Sequence, residues 1–427
     1  MKISKLWMAV SAVALTTLAM TLRAEPWPQY RGARGDGVVK GKILTTWPAE
    51  GPKRLWTVPT PAGFSSFSVS DGRAFTLVSR SVDGTLSAVC LALDAGSGKE
   101  LWATPIGVAK YPGGGDSGAQ DNKGGDGPRS TPSVNAGRVY VYSADRVLSC
   151  LDAAGGKRLW KKDIIADFGG KNIGWKSAMS PAVDGELVYV AGGGAGQAML
   201  AFNQVSGANV WKSGDDAFTH ASPLVATVHG VRQMIYMMQS GLVAVDSATG
   251  AALWRQAFPY RTSTACLPVL AGDIVFCTAG YDIGGGAYRI VKSGAEFTTQ
   301  ELWRAKGNKP VASLWSPPVY REGFLYGMLS FKQFGRGPLK CVDAKTGQVK
   351  WEQAGFGTGN VILAGDHLVA LSDDGHVSLV KASPTGFKES ARFKALSGKC
   401  WSTPAIADGR LYVRSTREGA CFDLTAQ

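Results

Sequence analysis

The segment CVDAKTGQVKW, from Cys341 to Trp351, decides the fold. It contains a short apolar strand, an Asp-x-x-x-Gly turn and a second strand that ends on tryptophan. The carboxylate of Asp343 can accept backbone N–H groups in the turn, and Gly347 can adopt the left-handed conformation that such a turn requires. Similar segments recur at intervals of 43–58 residues, a period typical of repeat proteins. They end at Trp102, Trp160, Trp211, Trp254 and, in a degenerate copy, Trp303.

A second segment alternates with the first. It reads SPAVDGELVYV from Ser180, in which a Ser-Pro pair precedes two apolar strands that are joined by a glycine turn. Strands of period two, repeated in this way, predict one four-stranded antiparallel sheet per copy, and such sheets stack radially as blades. We therefore predict an all-β, eight-bladed β-propeller. The eight copies begin at Phe64, Ser130, Ser180, Ser222, Ser263, Ser316, Asn360 and Ser402.

The ring is predicted to be closed by a strand from the N-terminal part of the chain. The last copy reaches Asp423 and has no tryptophan strand of its own, whereas GPKRLW, ending at Trp56, has no copy of its own. Phe393 occupies the tryptophan position of the seventh copy. Large rigid rings can wedge between neighbouring blades and bury most of their surface. The predicted docking residues are Trp56, Trp102, Trp160, Trp211, Trp254, Trp303, Trp351 and Phe393.

The first residues have the pattern of a signal peptide. Lys2 and Lys5 precede an apolar run from Leu6 to Leu22, and Ala24 is a suitable residue before cleavage. The alternative is an N-terminal membrane anchor. We predict a signal peptide at 1–24, an extended segment at 25–49 and one propeller at 50–427. This predicts a periplasmic or secreted monomer with no membrane span after cleavage of the signal.

Charge and cysteine content narrow the choice of partners. The net charge of +13 is spread along the chain without a Lys/Arg block, which favours an anionic small ligand or a protein over specific nucleic-acid binding. The chain has seven cysteines, an odd number. Cys266 and Cys277 flank the turn at Gly272 and are either a disulfide across a hairpin or buried thiols.

No catalytic or metal-binding motif is apparent. The four histidines lack zinc-site spacing. GGGDSG at Gly113–Gly118 is not followed by a helix, so it is interpreted as part of a long loop from Tyr111 to Pro128 and not as a dinucleotide site. Three loop acids are either solvated or oxygen ligands for Ca²⁺, namely Asp116, Asp121 and Asp126.

The best site hypothesis is the mouth of the central channel. Residues that come immediately before each inner strand crowd this opening in a propeller. Aromatic faces and cations there would suit a flat or anionic ligand. The alternative is that these residues are ordinary strand starts and blade-packing rings. The predicted ligand-binding residues are Arg129, Trp175, Lys176, His220, Arg261, Trp315 and Trp401.

The two alternating segments together resemble the PQQ-type propeller repeat over residues 50–427. The opening WPQYRGARGDGV, from Trp27 to Val38, is similar to exported bacterial PQQ-like repeat proteins. Resemblance to quinoprotein alcohol dehydrogenases implies PQQ and Ca²⁺ near the ring axis. However, no two cysteines are adjacent here, unlike the pair that packs on the quinone in those enzymes. Resemblance to the outer-membrane assembly-factor lipoprotein implies a non-enzymatic scaffold, although the cysteine that carries its lipid is absent here.

We therefore expect an exported, non-enzymatic propeller that binds a protein or a small ligand at the channel mouth, without a cofactor. The first alternative is a PQQ-dependent dehydrogenase that holds PQQ with Ca²⁺. The second alternative is a module that acts on or binds polysaccharide.

Overall fold

The computed structural model describes residues 25–119, 121, 123–262 and 264–426. The predicted signal peptide therefore lies outside the described residues. The strands form eight antiparallel four-stranded sheets, one of which gains a short fifth strand at Val38–Val39. One short helix, Ile164–Phe168, is present in this part of the chain. The predicted eight-bladed β-propeller is confirmed.

Each blade begins with a short strand beside the channel and continues outwards. The first strands of neighbouring blades contact one another at six or more of the eight interfaces, including that between blades 8 and 1, so the blades form a ring. The strands of blades 1 to 4, from the inside outwards, are Ser68–Ser70, Arg73–Val82, Thr85–Asp94 and Glu100–Val108; Ser133–Asn135, Arg138–Tyr142, Val147–Asp152 and Arg158–Asp163; Ala182–Asp184, Leu187–Ala191, Met199–Asn203 and Asn209–Ser213; and Leu224–Val228, Val231–Met238, Gly241–Asp246 and Ala252–Ala257.

The eighth blade contains strands from both ends of the chain. Arg54–Pro59 pairs antiparallel with Glu418–Asp423, and Trp56 lies opposite Cys421. The prediction that an N-terminal strand closes the ring is therefore confirmed. The strands of blades 5 to 8 are Val269–Ala271, Ile274–Ala279, Gly284–Ser293 and Glu296–Ala305; Val319–Arg321, Phe324–Gly327, Leu339–Asp343 and Val349–Gln353; Asn360–Ala364, His367–Leu371, His376–Lys381 and Glu389–Lys394; and Ala405–Ala407, Arg410–Arg414, Glu418–Asp423 and Arg54–Pro59.

Tryptophans on the outermost strands link neighbouring blades. In six of the seven, the indole N–H donates to a backbone carbonyl in the turn of the next blade, as Trp102 does to Ala153 at 3.0 Å. Trp254 instead donates to the side chain of Gln233 in its own blade, at 2.7 Å. The other five bonds run from Trp56 to Ala95, Trp160 to Gln204, Trp211 to Ser247, Trp303 to Ala344 and Trp351 to Ser383.

The glycine of the Asp-x-x-x-Gly turn provides the surface on which the indole lies. A Cβ atom on Gly156, whose φ is +74°, would lie 2.6 Å from the Trp102 ring. Four other turn glycines face the indole of the preceding blade in the same way. Phe393 lies similarly against Gly51, where a Cβ atom would come within 2.4 Å of the ring. The repeat therefore keeps this glycine both for its backbone conformation and because a side chain would push the two blades apart.

The N-terminal segment, residues 25–49, crosses the channel. The side-chain carbonyl of Gln29 accepts a hydrogen bond from the backbone of Val183 in blade 3. Val38–Val39 pairs in parallel with the first strand of blade 7. Because blades 3 and 7 lie on opposite sides of an eight-bladed ring, the segment spans the axis. It also bonds to the chain's end, where Leu44 donates to the carbonyl of Leu424.

Arg31 fixes this segment inside the ring. Its side chain is 1% exposed, and its guanidinium donates to the carbonyls of Pro317 and Pro318 in blade 6, at 3.0 and 2.7 Å. Burial lowers the pKa of this guanidinium. It forms no ion pair within the described residues, so its charge is compensated by carbonyl dipoles.

The seven cysteines are free and buried in the structure. The disulfide proposed for Cys266 and Cys277 is therefore not formed. The hairpin register pairs Val269 with Phe276, and its continuation would place Pro268 opposite Cys277. Cys266 comes two residues before Pro268 in the chain, ahead of the paired part of the strand.

Replacing the docking glycine of blade 2 tests how much the indole contact contributes. Gly156→Ala adds backbone strain and a clash with Trp102, whereas Gly137→Ala, in the same blade at φ +73°, adds only the strain because its Cβ would meet nothing within 4 Å. We expect Gly156→Ala to lower the free energy of unfolding by about 1–3 kcal/mol more than Gly137→Ala does. Chemical denaturation measures both, and equal losses would contradict the steric role of this glycine.

Candidate functional site

A pocket of about 470 Å³ occupies the mouth of the channel. Its floor is Tyr30 of the N-terminal segment, and its walls come from the residues that precede the first strands and from loops on the same face. This volume is in the range of small-molecule sites. The pocket is lined by Tyr30, Phe64, Ser66, Tyr111, Pro112, Gly113, Gly114, Lys123, Gly124, Gly125, Arg129, Trp175, Ala178, Ser180, His220, Ser222, Ala265, Tyr281, Leu314, Trp315, Lys332, Trp401 and Thr403.

Hydrogen bonds between blades fix part of the pocket wall. The residue two positions before a first strand donates its backbone N–H to the hydroxyl of the equivalent residue in the next blade. This chain of bonds runs from Thr403 to Ser66 at 2.8 Å, to Thr131 at 3.0 Å, to Ser180 at 2.8 Å and to Ser222 at 2.9 Å. It explains the hydroxyl of the repeated Ser-Pro and Thr-Pro pairs, a role that sequence analysis did not assign.

Five of the seven predicted ligand-binding residues line the pocket, and two do not. The ammonium of Lys176 pairs with Asp145 at 2.8 Å and lies beside Tyr111, behind the wall. The side chain of Arg261 is exposed, and this residue is not part of the lining. The five that line the pocket are Arg129, Trp175, His220, Trp315 and Trp401.

Several pocket residues come from loops that do not follow the repeat. Tyr111 and Lys123 belong to the long loop between blades 1 and 2, while Tyr281 and Lys332 lie between the second and third strands of blades 5 and 6. Sequence analysis recognised the first of these loops but assigned it no part in the site. A signal was present, because aromatic and basic residues stand out in loops otherwise rich in glycine.

Hydrogen bonds fix the loop between blades 1 and 2 both at its ends and in its middle. The carboxylate of Asp126 accepts the backbone N–H of Tyr111 at 2.8 Å. The ammonium of Lys399 donates to the carbonyls of Asp121 and Lys123, at 3.0 and 3.1 Å. No group of three or more metal-ligating side chains occurs among the described residues, so the loop acids do not form a shared cation site there.

The charged side chains that line the pocket are cationic. Lys123, Arg129 and Lys332 line it, whereas no aspartate or glutamate does so among the described residues. The Arg129 guanidinium lies 4.2 Å from the centre of the Tyr111 ring and donates to the carbonyls of Trp175 and Gly125. Burial lowers its pKa. An anion entering this pocket would meet three lining cations, of which Arg129 lies close enough to the Asp126 carboxylate for that charge to act on its pKa.

His220 adds a buried polar group to the pocket. The residue is 8% exposed, and neither ring nitrogen makes a well-aligned hydrogen bond in the described structure, although the backbone of Gly174 and Lys176 lies close enough to oppose the lowering of its pKa. Burial, together with the charge of Arg129, lowers the pKa of His220 to about 3. The imidazole is therefore neutral near pH 7 and offers one N–H donor and one lone pair to a ligand. The Trp401 indole N–H in the same pocket is buried and unpartnered.

Residues 87–283 and 202–354 match the family model described as outer membrane protein assembly factor BamB. The two matches overlap and together span residues 87–354, more than half of the chain. The chain belongs to this family. The predicted resemblance to PQQ-like propeller repeat proteins is thereby confirmed.

Solved structures support the same architecture. BamB from Moraxella catarrhalis is 14% identical and has a TM-score of 0.60, with coverage of 88% of this chain and 98% of that chain. A quinohemoprotein alcohol dehydrogenase from Comamonas testosteroni is 14% identical with a TM-score of 0.65, covering 94% and 81%. The alcohol dehydrogenase ADHIIG from Pseudomonas putida HK5 is also 14% identical, with a TM-score of 0.63 and the same coverage. These similarities show a shared fold.

A search of curated protein sequences found no significant match. Within the described part of the chain, no helix has the length and apolar character that crossing a membrane requires.

The buried neutral His220 predicts a pH dependence of stability. Its pKa is about 3 when folded and about 6.5 when unfolded, so the unfolded chain binds an extra proton between these values. The stability contributed by the neutral form is therefore complete above pH 6.5 and is lost as the pH falls. Relative to His220→Gln, we expect the wild type to lose about 1.4 kcal/mol of unfolding free energy per pH unit between pH 6 and 4. Denaturation at several pH values measures this difference, and parallel curves would contradict the burial of a neutral imidazole.

Proposed function

We propose that this propeller is an exported, monomeric, non-enzymatic binding protein that takes a small anionic organic ligand at the mouth of its channel. The observation that carries the proposal is the pocket of about 470 Å³, which three cationic side chains line without any carboxylate among the described residues. A cationic, partly desolvated cavity strengthens the attraction for an anion over that on an open surface.

The chemistry of the lining also favours an organic ligand over an inorganic ion. Aromatic side chains form much of the wall, and Trp315 stacks on Trp401 with ring centres 4.4 Å apart. Such surfaces bind the flat or apolar part of a ligand, while the cations bind its charge.

The dehydrogenase alternative requires a site for PQQ with Ca²⁺. Calcium is bound by carboxylate and carbonyl oxygens, and the described lining residues contain no carboxylate. No group of three or more His, Cys, Asp or Glu side chains that could hold a metal occurs in the described structure. The donor set at the mouth therefore does not fit a calcium ion, which favours ligand binding without a metal.

The family relationship also supports binding of a protein partner. The matching family is described as an assembly factor for outer membrane proteins, and an exported location for this chain would agree with that description. We place the small-ligand site first because the pocket contains a buried donor without a partner in the described structure, the indole N–H of Trp401, beside the cation of Arg129.

Fluorescence titration with the anionic dye 8-anilinonaphthalene-1-sulfonate tests the site. Arg129→Ala removes a charged hydrogen-bond donor from the pocket, which is worth about 1.5–3 kcal/mol, so we expect the dissociation constant to rise at least about tenfold. Arg261→Ala is the matched control, because its side chain is exposed and outside the lining. It should change affinity less than about twofold. Unchanged affinity in Arg129→Ala would overturn the proposed site.

A further inference from the structure

We propose that the outer rim of blades 1 to 3 is a docking surface for a flexible, acidic segment of a partner protein that carries apolar residues among its carboxylates. This surface lies on the outermost strands, away from the channel mouth, so the inference does not depend on the small-ligand site. Four exposed apolar side chains define it, and we call them the rim patch: Leu101, Leu159, Val205 and Val210.

Three members of the rim patch occupy one position of the repeat. In every blade the register between the third and fourth strands shifts, which leaves one residue of the outermost strand without a partner. In blade 2, Arg158 and Trp160 have partners on the third strand and Leu159 between them has none. This position holds Lys350 in blade 6 and Ser390 in blade 7. In the other six blades it is apolar, with Leu55, Leu101, Leu159, Val210, Leu253 and Leu302.

Packing within the propeller accounts for only half of these six apolar side chains. Those of blades 4, 5 and 8 are half-buried against the hydrophobic core, namely Leu253, Leu302 and Leu55. On the consecutive blades 1, 2 and 3, Leu101, Leu159 and Val210 remain 44%, 46% and 48% exposed. Contiguous exposed apolar side chains are typical of a surface that a partner covers.

Val205 joins the parts of the rim patch that belong to blades 2 and 3. The Trp160 indole of blade 2 donates to the carbonyl of Gln204 and lies against Gly207, so the turn that contains Val205 lies beside the outermost strand of blade 2. Val205 is 62% exposed, and the Trp160 ring is itself only half-buried. The centre of the surface therefore offers an aromatic ring between aliphatic side chains, a composition typical of protein interfaces.

Cations surround this apolar surface. The outermost strand of blade 2 and the residue before it read KRLWKK, from Lys157 to Lys162, the six-residue stretch of the chain with the most cations. Lys212 follows Val210 on blade 3 in the same way. None of these five cations forms an ion pair within the described residues. They can therefore attract the carboxylates of a partner.

The acids near these cations in the sequence are engaged elsewhere. Glu100, next to Leu101, pairs with Arg80 of its own blade at 2.6 Å. Asp152 accepts the backbone N–H of Gly155 in the docking turn. Asp163 caps the short helix that follows the strand, where its carboxylate accepts two backbone N–H groups. The charge that the rim presents beside the apolar side chains is thus mainly positive.

The shape and charge of the rim favour a flexible polypeptide over other occupants. Leu101 and Val210 lie two blades apart, a quarter of a turn in an eight-bladed ring, so a flat membrane cannot contact both. A second copy of this chain would bring the same cations against one another. The bulge at Leu159 disrupts the exposed strand edge and opposes the addition of a strand along it. A flexible acidic segment can instead follow the rim across the outermost strands.

Fluorescence anisotropy with the labelled peptide EELEELEELEEL tests the proposal. We expect Leu159→Ser to raise its dissociation constant at least about tenfold, because the surface loses a central apolar contact. Lys161→Ser should raise it about threefold, since this lysine contributes an exposed ion pair. Lys350→Ser is the matched control for both variants, because Lys350 is an exposed lysine at the position of Leu159 in blade 6, and it should change affinity less than about twofold.

The control peptide EESEESEESEES separates apolar contact from general attraction of charge. If it binds as tightly as the leucine peptide, or if Lys350→Ser weakens binding as much as Lys161→Ser does, the proposed surface is wrong. Absence of binding by the leucine peptide would have the same consequence. Binding to phosphatidylglycerol vesicles, or a dimer in sedimentation, that Leu159→Ser abolishes would replace the proposed partner by a membrane or a second copy. Dye binding at the channel mouth should be unchanged in Leu159→Ser, which shows that the variant is folded and keeps this test independent of the proposed function.

Discussion

The faces of five of the seven docking indoles lie against a glycine in the next blade, and this contact sets the spacing of those blades. Gly156 shows the constraint, because its left-handed φ and its distance from Trp102 both exclude a side chain. The N–H of the Trp102 indole then donates to a carbonyl of the same turn, and this hydrogen bond fixes the orientation of the indole within its own plane. One small residue and one large residue thus define each of these five interfaces. A single blade cannot bury both of its faces, so these contacts stabilise the fold only when the ring is complete.

Closure of the ring depends on residues that are far apart in sequence. Arg54–Pro59 supplies the outer strand of blade 8 and brings Trp56 to the glycine turn of blade 1. Phe393 has no N–H to donate, and its place is secured by Gly51 and by an edge contact with Trp47, whose ring centre is 5.7 Å away. The interface from blade 7 to blade 8 therefore relies on packing where most of the others also have a hydrogen bond.

The fold could be predicted from the sequence because its determinants repeat. Four copies of the Asp-x-x-x-Gly turn and one variant with Asn203 outweigh the degenerate copies, and the unpaired strand at Trp56 indicated how the ring closes. The hydrogen-bond acceptor of Trp254 could not be predicted from the repeat. Blade 5 has a direct hairpin between Gly284–Ser293 and Glu296–Ala305 in place of the Asp-x-x-x-Gly turn, so Trp254 finds its acceptor in Gln233 of its own blade. The role of the N-terminal segment was not predictable, since its contacts are made largely by backbone atoms and by one buried arginine.

The site could be predicted only where it follows the repeat. Positions before the first strands gave Arg129, His220 and Trp401 correctly as residues of the mouth, because the blade geometry places every such position there. Side-chain direction within these positions is not periodic. Lys176 has a left-handed φ and turns towards Asp145, away from the cavity. The loops between second and third strands carry no docking contact, so their length and composition vary freely and no repeat pattern indicates which side chains reach the axis.

The separation of the docking contacts from the pocket explains how the same propeller architecture can serve unrelated functions. The docking contacts lie at the turns between third and fourth strands, whereas the pocket is built from the loops at the other end of the blades. Substitutions in the mouth therefore leave the interfaces between blades intact, and proteins with the same architecture differ there. In this chain the mouth holds Arg129 and Lys332 on aromatic faces, and neither cation forms an ion pair within the described residues, although the charge of Asp126 acts on Arg129 from outside the lining. A carboxylate partner would have to be displaced before an anion could bind, and its desolvated charge would then oppose the ligand. An aromatic seat imposes neither cost, so the arrangement is suited to binding an anion and not to stabilising the fold.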